Sequence, residues 1–275
     1  MPDSALTSAA TLAVAGLFTV GALAIYLWQL RLIVRDGGKV QIGNLDLPEL
    51  LMSVVFAGLF AMLTVAAILR HGTKEPEVHV QSILPNSILF ILFTLGIAGF
   101  LHYRGMRLLD VFGLNRVRFL PLLGWACGLL AAAFPLVWAA NTLTVAVFHD
   151  IAEPQPLVEL FNTAARHHDY GTVSAIVVSA VFIQPACEEF LFRGFFYAVW
   201  KKHLGAMRSG FISSVLFAAF HTNLAAFAGL CVLAVCLNVA YERTGSLFVP
   251  VLMHMLFNFT SLLLLFSAAQ SSGLQ

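Results

Sequence analysis

Charged residues are scarce in this chain. Only 11% of its 275 residues are Asp, Glu, Lys or Arg, whereas 60% are hydrophobic. A soluble globular domain averages about 25% charged and about 45–50% apolar residues, so the composition excludes an ordinary soluble enzyme. The formal net charge is +1, and the basic residues form no continuous stripe. A nucleic-acid partner is therefore not expected.

Cysteine is also sparse. The chain has four cysteines, all inside apolar segments, and no pair of them brackets a polar loop. This distribution excludes the disulfide framework of a small secreted domain. Segments of about ten residues with alternating hydrophobicity, which a membrane β-barrel needs, are absent as well.

What the sequence has instead is eight long apolar segments separated by short polar loops. This pattern is typical of a polytopic helical membrane protein, and we predict an all-α transmembrane bundle of about eight helices. The sixth and seventh segments are short, which is typical of half-helices that line a cavity. The segments are approximately 9–30, 48–69, 83–103, 119–148, 172–200, 209–223, 224–241 and 247–267.

Loop charges predict the orientation of the bundle. Loops one, three and five carry ten Lys or Arg residues, whereas loops two and four carry only Arg70, Lys74 and Arg166. The positive-inside rule then places loops one, three, five and seven in the cytoplasm and both termini outside. The expected location is the inner membrane of a bacterium.

The chain forms one integral membrane domain with two parts. Residues 1–170 supply N-terminal transmembrane helices and a long outer loop, and residues 171–268 supply the helices that carry the motifs described next. After Pro156 the outer loop is compatible with a short amphipathic helix on the membrane surface or with an ordinary polar connector.

Three charged residues interrupt the fifth apolar segment. They are Glu188, Glu189 and Arg193, and a charge at the centre of a bilayer costs roughly 2.5–3.5 kcal/mol on insertion scales. Glu189 and Arg193 are four residues apart, so they share a helix face and we expect them to pair. Glu188 is rotated by about 100° and remains free to act as a general base on water. The alternative is an ion-pair network that only ties helices together.

Two histidines and an amide follow on later segments. His221 comes four residues after Phe217, and Asn258 comes four residues after His254. One histidine in an apolar helix is usually an ordinary core residue, but two of them on helices that follow a glutamate pair favour a shared polar site. Asn141 and Gln184 are either additional polar lining or, as is more common, interhelical hydrogen-bonding residues.

Helix geometry predicts the depth of this site. Glu188, His221 and His254 each lie 11–13 residues from a basic residue of the cytoplasmic loops. That spacing corresponds to about 16–20 Å along a helix. The three side chains should therefore meet near the middle of the membrane, in a cavity open to the cytoplasmic side.

These motifs, taken in order, resemble a known family. The run Glu188-Glu189-x-x-x-Arg193-Gly194, followed by Phe217-x-x-x-His221 and His254-x-x-x-Asn258, resembles the CAAX protease and bacteriocin-processing family of intramembrane endopeptidases. That family includes the type II CAAX prenyl endopeptidases. The similar stretch runs from about residue 173 to 265, a third of the chain, and residues 1–170 resemble the family only in being apolar.

The resemblance implies a role for each matched residue. Glu188 would activate water with help from His221, Glu189 and Arg193 would hold the site together, and His254 with Asn258 would stabilise the oxyanion. Eukaryotic relatives process prenylated CAAX proteins, whereas for a compact chain of bacterial type we expect a peptide or membrane-protein segment as substrate, cleaved inside the lipid bilayer near its cytoplasmic face.

Two questions remain open at this point. No cofactor is firmly predicted, but zinc is possible, with Glu188, His221 and His254 as ligands; metal-independent glutamate chemistry is the favoured interpretation. The rival function is non-enzymatic: a transporter with a buried charge relay, or a scaffold for peptide immunity or another interaction. Transporters often contain inverted repeats, and the sequence shows no repeat.

Overall fold

The computed structural model describes residues 2–43, 45–70, 80–148 and 155–272, and within these ranges it contains helices and no strand. Seven helical stretches are long and apolar enough to cross a membrane. The helices are α1 (Pro2–Asp36), α2 (Leu47–Arg70), α3 (Val80–Tyr103), α4 (Leu108–Val111), α5 (Phe119–Val147), α6 (Pro156–Arg166), α7 (Tyr170–Val177), α8 (Gln184–Glu189), α9 (Ala198–Phe220), α10 (Leu224–Thr244) and α11 (Phe248–Ser272).

One of the seven stretches, Tyr170–Phe220, crosses the membrane twice. Its 51 residues would extend about 77 Å as a straight helix, more than twice the thickness of the hydrocarbon core. The backbone breaks at Gly205, where φ is 77° and ψ is 167°. The rings of Phe192 and Phe217, on opposite sides of that break, lie 5.1 Å apart. The chain therefore reverses at Gly205, and the predicted bundle of about eight helices is confirmed.

The glutamate pair lies in an irregular part of this stretch. Helix α8 is only six residues long, and π-helical segments precede it at Val178–Ile183 and follow it at Phe190–Tyr197. Pro185, near the start of α8, has no N–H with which to continue a regular α-helical ladder. Segments of π-helix occur frequently at functional sites, and here they bracket both glutamates.

Four connections meet at one end of the bundle, which we call the basic end (residues 31–46, 104–118, 201–208 and 242–247). Lys202 forms an ion pair with Asp46 at 2.6 Å, and this contact lowers the pKa of the Asp46 carboxyl below its ordinary value. Loops one, three, five and seven thus lie together, as the charge asymmetry predicts. Their other links are Lys39 N to Glu242 O (2.9 Å), Leu247 N to Phe112 O (2.9 Å), Lys201 Nζ to Glu242 Oε1 (2.6 Å) and Tyr197 Oη to Glu242 Oε1.

At the opposite end, helix α6 packs against the protein. Phe161 is 1% exposed and lies in a buried cluster with Ile83, Ile176 and Ala180. Of the two alternatives for the segment after Pro156, the structure has the short helix, and the apolar face of this helix packs against α7 and α11. We call this region the α6 end; it also holds the start of α7 and the 221–223 connection.

Candidate active site

The carboxylate of Glu189 is the centre of a buried polar cluster. Its Oε1 accepts hydrogen bonds from Arg193 Nη1 at 2.8 Å and from His254 Nδ1 at 2.9 Å. Glu189, Arg193 and His254 are 0%, 1% and 3% exposed. Because water does not reach these groups, each charge has to be compensated by the other members of the cluster. Glu189 and Arg193 form the pair that their four-residue spacing predicts.

Arg193 also connects neighbouring helices. Its Nη2 donates to the main-chain oxygen of Ala234 in α10 at 3.2 Å, and its guanidinium carbon lies 4.6 Å from the ring centroid of Phe217 in α9. Through these contacts and the bond to His254 in α11, the pair joins three helices to the segment that carries it.

Glu188 points in a different direction, as its position one residue earlier requires. Its Oε2 lies 3.8 Å from His254 Nε2, which is longer than a direct hydrogen bond. Groups at this separation can both contact one water molecule. His254 therefore lies between the two glutamates, bonded to one and close to the other.

Both imidazoles are held by a defined nitrogen. His221 Nδ1 lies 2.8 Å from the main-chain oxygen of Phe217; since a carbonyl oxygen only accepts, Nδ1 carries the hydrogen and Nε2 is left free. The Nδ1 of His254 likewise donates to the Glu189 carboxylate. In each histidine Nε2 is the atom available for chemistry.

Asn258 is held by a hydrogen bond to the π-helical segment that precedes α8. Its Nδ2 donates to the main-chain oxygen of Ala180 at 2.8 Å, within the π-helical segment Val178–Ile183. An amide nitrogen carries two hydrogens, so one N–H and the Oδ1 remain available to a ligand.

The six predicted site residues form two groups, according to whether they line a cavity of about 600 Å³. Glu188, His221, His254 and Asn258 line it, whereas Glu189 and Arg193 are not among its lining residues. The first group faces the cavity, and the second contacts the first through the hydrogen bond from His254 to Glu189. Further lining residues are Phe90, Val137, Asn141, Val145, Gln155, Leu157, Val158, Ala180, Gln184, Phe220, Asn223, Ala225, Ala226, Gly229, Leu230, Leu233, Phe257, Ser261, Leu262 and Leu265.

The cavity extends toward the α6 end. Its wall includes Gln155, Leu157 and Val158 around the start of α6, together with Asn223 of the short connection between α9 and α10. No residue of the basic end lines it in the described part of the chain. The expectation of a site open to the basic loops is therefore wrong, because depth along a helix does not indicate which way the space around it extends. The seventh apolar segment is not a half-helix, because α10 has 21 residues and is long and apolar enough to cross a membrane. Its residues from Ala225 to Leu233 nevertheless line part of the cavity.

Asn141 and Gln184 line the cavity, which is the less common of the two alternatives considered from the sequence. Asn141 Oδ1 is buried and has no hydrogen-bond partner, so an interhelical hydrogen bond does not explain this oxygen. The side chain packs directly on Gly229 of α10, where a Cβ would collide with it. An amide in an otherwise apolar segment is the only sequence signal for Asn141, and it does not tell lining from packing.

The three candidate zinc ligands are Glu188, His221 and His254, which share the cavity wall. Within the described ranges, no three His, Cys, Asp or Glu side chains come together closely enough to hold a metal ion, so these three residues do not form a zinc site in this arrangement.

A known protein family matches the part of the chain that carries the motifs. Residues 171–260 match the family model described as Rce1-like, type II CAAX prenyl endopeptidase. The match covers a third of the chain and confirms the resemblance that the motifs indicate. It indicates intramembrane protease activity in general. No curated protein and no solved structure matches the chain.

Proposed function

We propose that the protein is an intramembrane endopeptidase that hydrolyses a peptide bond with water activated by Glu188. The site lies in an integral multi-pass membrane protein, and we propose the inner membrane of a bacterium as its location. The substrate class is a peptide or a segment of a membrane protein. The observation that carries the proposal is that Glu188 of α8, His221 at the end of α9, and His254 and Asn258 of α11 line one cavity.

The reaction would proceed in two steps. Glu188 takes a proton from a water molecule as the water oxygen attacks the scissile carbonyl carbon, and His221 Nε2 accepts the second hydrogen of that water to orient it. The carbonyl π electrons move to oxygen and form a tetrahedral oxyanion. When the C–N bond breaks, the Glu188 carboxyl returns its proton to the leaving amine.

The oxyanion needs hydrogen-bond donors on the opposite side of the carbonyl. Asn258 can supply its second N–H, and His254 can supply Nε2–H when its ring is protonated. The carboxylates of Glu189 and Glu188, at 2.9 Å and 3.8 Å, would compensate that positive charge. Donors of this kind are worth about 3–4 kcal/mol of barrier each in acyl-transfer enzymes.

A comparison of two glutamine variants tests the proposal. Glu188→Gln should keep the fold and lose peptidase activity by about 10²–10⁴-fold, the range for general-base catalysis. Cleavage is measured on detergent-purified protein with a peptide library, and folding is checked by thermal unfolding. A folded Glu188→Gln protein with full peptidase activity would falsify this mechanism. An inactive parent protein that transports or binds a peptide would favour the non-enzymatic alternative.

A further inference from the structure

The lining of the cavity continues from the catalytic groups in one direction only. Along the stretch that carries the glutamates, the lining proceeds from Glu188 through Gln184 of α8 to Ala180 of the preceding π-helical segment. On α11 it proceeds from His254 to Leu265. Both series lead from the middle of the membrane toward the α6 end.

The other helices of the wall agree with this direction. On α5 the lining residues Val137, Asn141 and Val145 approach the end of the helix at Val147. On α10 they begin at Ala225, next to the 221–223 connection, and end at Leu233. The cavity is thus a one-sided vestibule that reaches the catalytic groups from the α6 end.

The opposite direction is closed by an aromatic layer, which we define as Phe60, Phe192, Phe195, Phe196 and Phe217. Four of the five side chains are 0% exposed and Phe60 is 7% exposed. Neighbouring rings are in contact, with centroids 5.1 Å apart for Phe192 and Phe217 and 5.8 Å apart for Phe60 and Phe196. The layer lies between Glu188 and the basic residues that follow it at Lys201.

Buried side chains of α10 and α11 also fill the space between the cavity and the basic end. Leu237 and Tyr241 of α10 and Val249 and Met253 of α11 are all 0% exposed. Met253 directly precedes His254 on the side of the basic end. A substrate therefore has no described path to Glu188 from that end.

Charge identifies the two ends. The ten basic residues of loops one, three and five together with Arg243 make eleven of the fifteen Lys and Arg residues, and the contacts across the basic end bring these loops together. Loops two and four contain only Arg70, Lys74 and Arg166. An excess of this size orients a membrane protein with the basic end in the cytoplasm.

We propose that the catalytic vestibule opens on the non-cytoplasmic face of the membrane, and that the substrate is a peptide segment presented on that face. This proposal rests on the peptidase function proposed above. Substrates of this class are an exported peptide or the outer end of a membrane-protein segment. A cytosolic prenylated tail would meet the closed basic end instead.

Cysteine accessibility in intact bacterial cells tests the opening without reference to activity. Val158→Cys places a thiol in the cavity wall, Glu159→Cys places one on the exposed side of α6, and Arg107→Cys places one at the basic end. With a membrane-impermeant maleimide, and relative to the parent protein, we expect labelling of both α6 variants in intact cells. Arg107→Cys should react only after permeabilisation.

Each other pattern overturns the proposal. Labelling of Arg107→Cys and not of Glu159→Cys in intact cells would reverse the orientation, and labelling of both would indicate a mixed one. Labelling of Glu159→Cys without Val158→Cys would mean that the vestibule is closed at the α6 end.

A second measurement separates the sidedness from the peptidase function. Right-side-out and inverted membrane vesicles are given the same membrane-impermeant peptide, and we expect cleavage with right-side-out vesicles only. Cleavage by inverted vesicles alone would overturn the sidedness and leave the peptidase function standing. The expected cysteine pattern without cleavage by either vesicle or by detergent-solubilised protein would overturn the peptidase function and leave the sidedness standing.

Discussion

The Nδ1 atom of His254 lies 2.9 Å from Glu189 Oε1 although 65 residues separate the two in the chain. This bond decides how the ring is presented, because it leaves Nε2 facing Glu188 and the cavity. Histidines that ligate metals are oriented in the same way by an outer hydrogen-bond partner. In the proposed mechanism Glu189 acts through His254 and is a positioning residue.

Removing the Glu189 charge should destabilise the fold. Glu189→Gln leaves the Arg193 guanidinium buried without its carboxylate, and breaking a buried pair in this way costs about 3–5 kcal/mol. Thermal or denaturant unfolding in detergent measures the loss. The matched control is Glu189→Gln combined with Arg193→Met, which removes both charges and should recover much of the stability. A double variant as unstable as the sum of the single ones would contradict this coupling.

The packing of Asn141 on Gly229 predicts an effect on substrate binding. Asn141→Leu removes an amide whose Oδ1 has no partner, so stability should be unchanged or higher. The KM for a peptide should rise by up to about tenfold, the equivalent of one hydrogen bond of about 0.5–1.5 kcal/mol. Steady-state kinetics provide the measurement, and a KM that does not move would exclude Asn141 as a peptide-binding residue.

A coupled variant checks the same contact from the other helix. Gly229→Ala introduces a Cβ that collides with the Asn141 side chain, so it should displace the amide and also raise KM. Gly229→Ala in an Asn141→Ala background should have little further effect. Equal effects in both backgrounds would show that the collision is not the cause.

The reversal at Gly205 predicts a backbone effect. Its φ of 77° and ψ of 167° lie in a region that is essentially restricted to glycine and costs other residues about 1–3 kcal/mol. Gly205→Ala should lower stability by this amount although nothing surrounds the added methyl group within 4 Å. Gly210→Ala is the control, because Gly210 is helical and its nearest neighbour would be 3.7 Å away; it should be neutral or stabilising. A neutral Gly205→Ala would mean that the reversal does not depend on this conformation.

Chelation tests the choice between glutamate chemistry and zinc. We expect peptidase activity to survive an excess of chelator, and elemental analysis of active protein to find no stoichiometric zinc. Loss of activity on chelation with recovery on adding Zn²⁺ would instead assign Glu188, His221 and His254 as ligands, since neutral imidazoles and a carboxylate are ordinary zinc ligands. Magnesium added back in place of zinc serves as the control.

The local part of the site could be predicted from sequence. The Glu189–Arg193 pair follows from a four-residue spacing on a helix, and the different direction of Glu188 follows from its one-residue offset. The common end of loops one, three, five and seven follows from their charge. Each of these depends on positions close in sequence or on a rule that sums over whole loops.

What could not be predicted depends on packing between distant segments. To predict two of the contacts, one would have to know the angles at which α5, α10 and α11 cross. These contacts are the bond from His254 to Glu189 and the packing of Asn141 on Gly229. The direction of the cavity is set by the packing of the aromatic layer. It cannot be predicted from sequence, because the apolar residues on both sides of Glu188 have similar sequence patterns. Packing fills one side and leaves the other open, and no residue type marks the difference.

The aromatic layer has a consequence for the bioenergetics of the membrane. A vestibule that admits water to the middle of the bilayer shortens the insulating distance across which the transmembrane voltage falls. Phe192, Phe195 and Phe196 are fully buried between the proposed catalytic groups and the basic end, so an apolar barrier remains on that side of the vestibule. We expect this barrier to oppose proton conduction, so that the proposed hydrolysis would not dissipate the proton gradient.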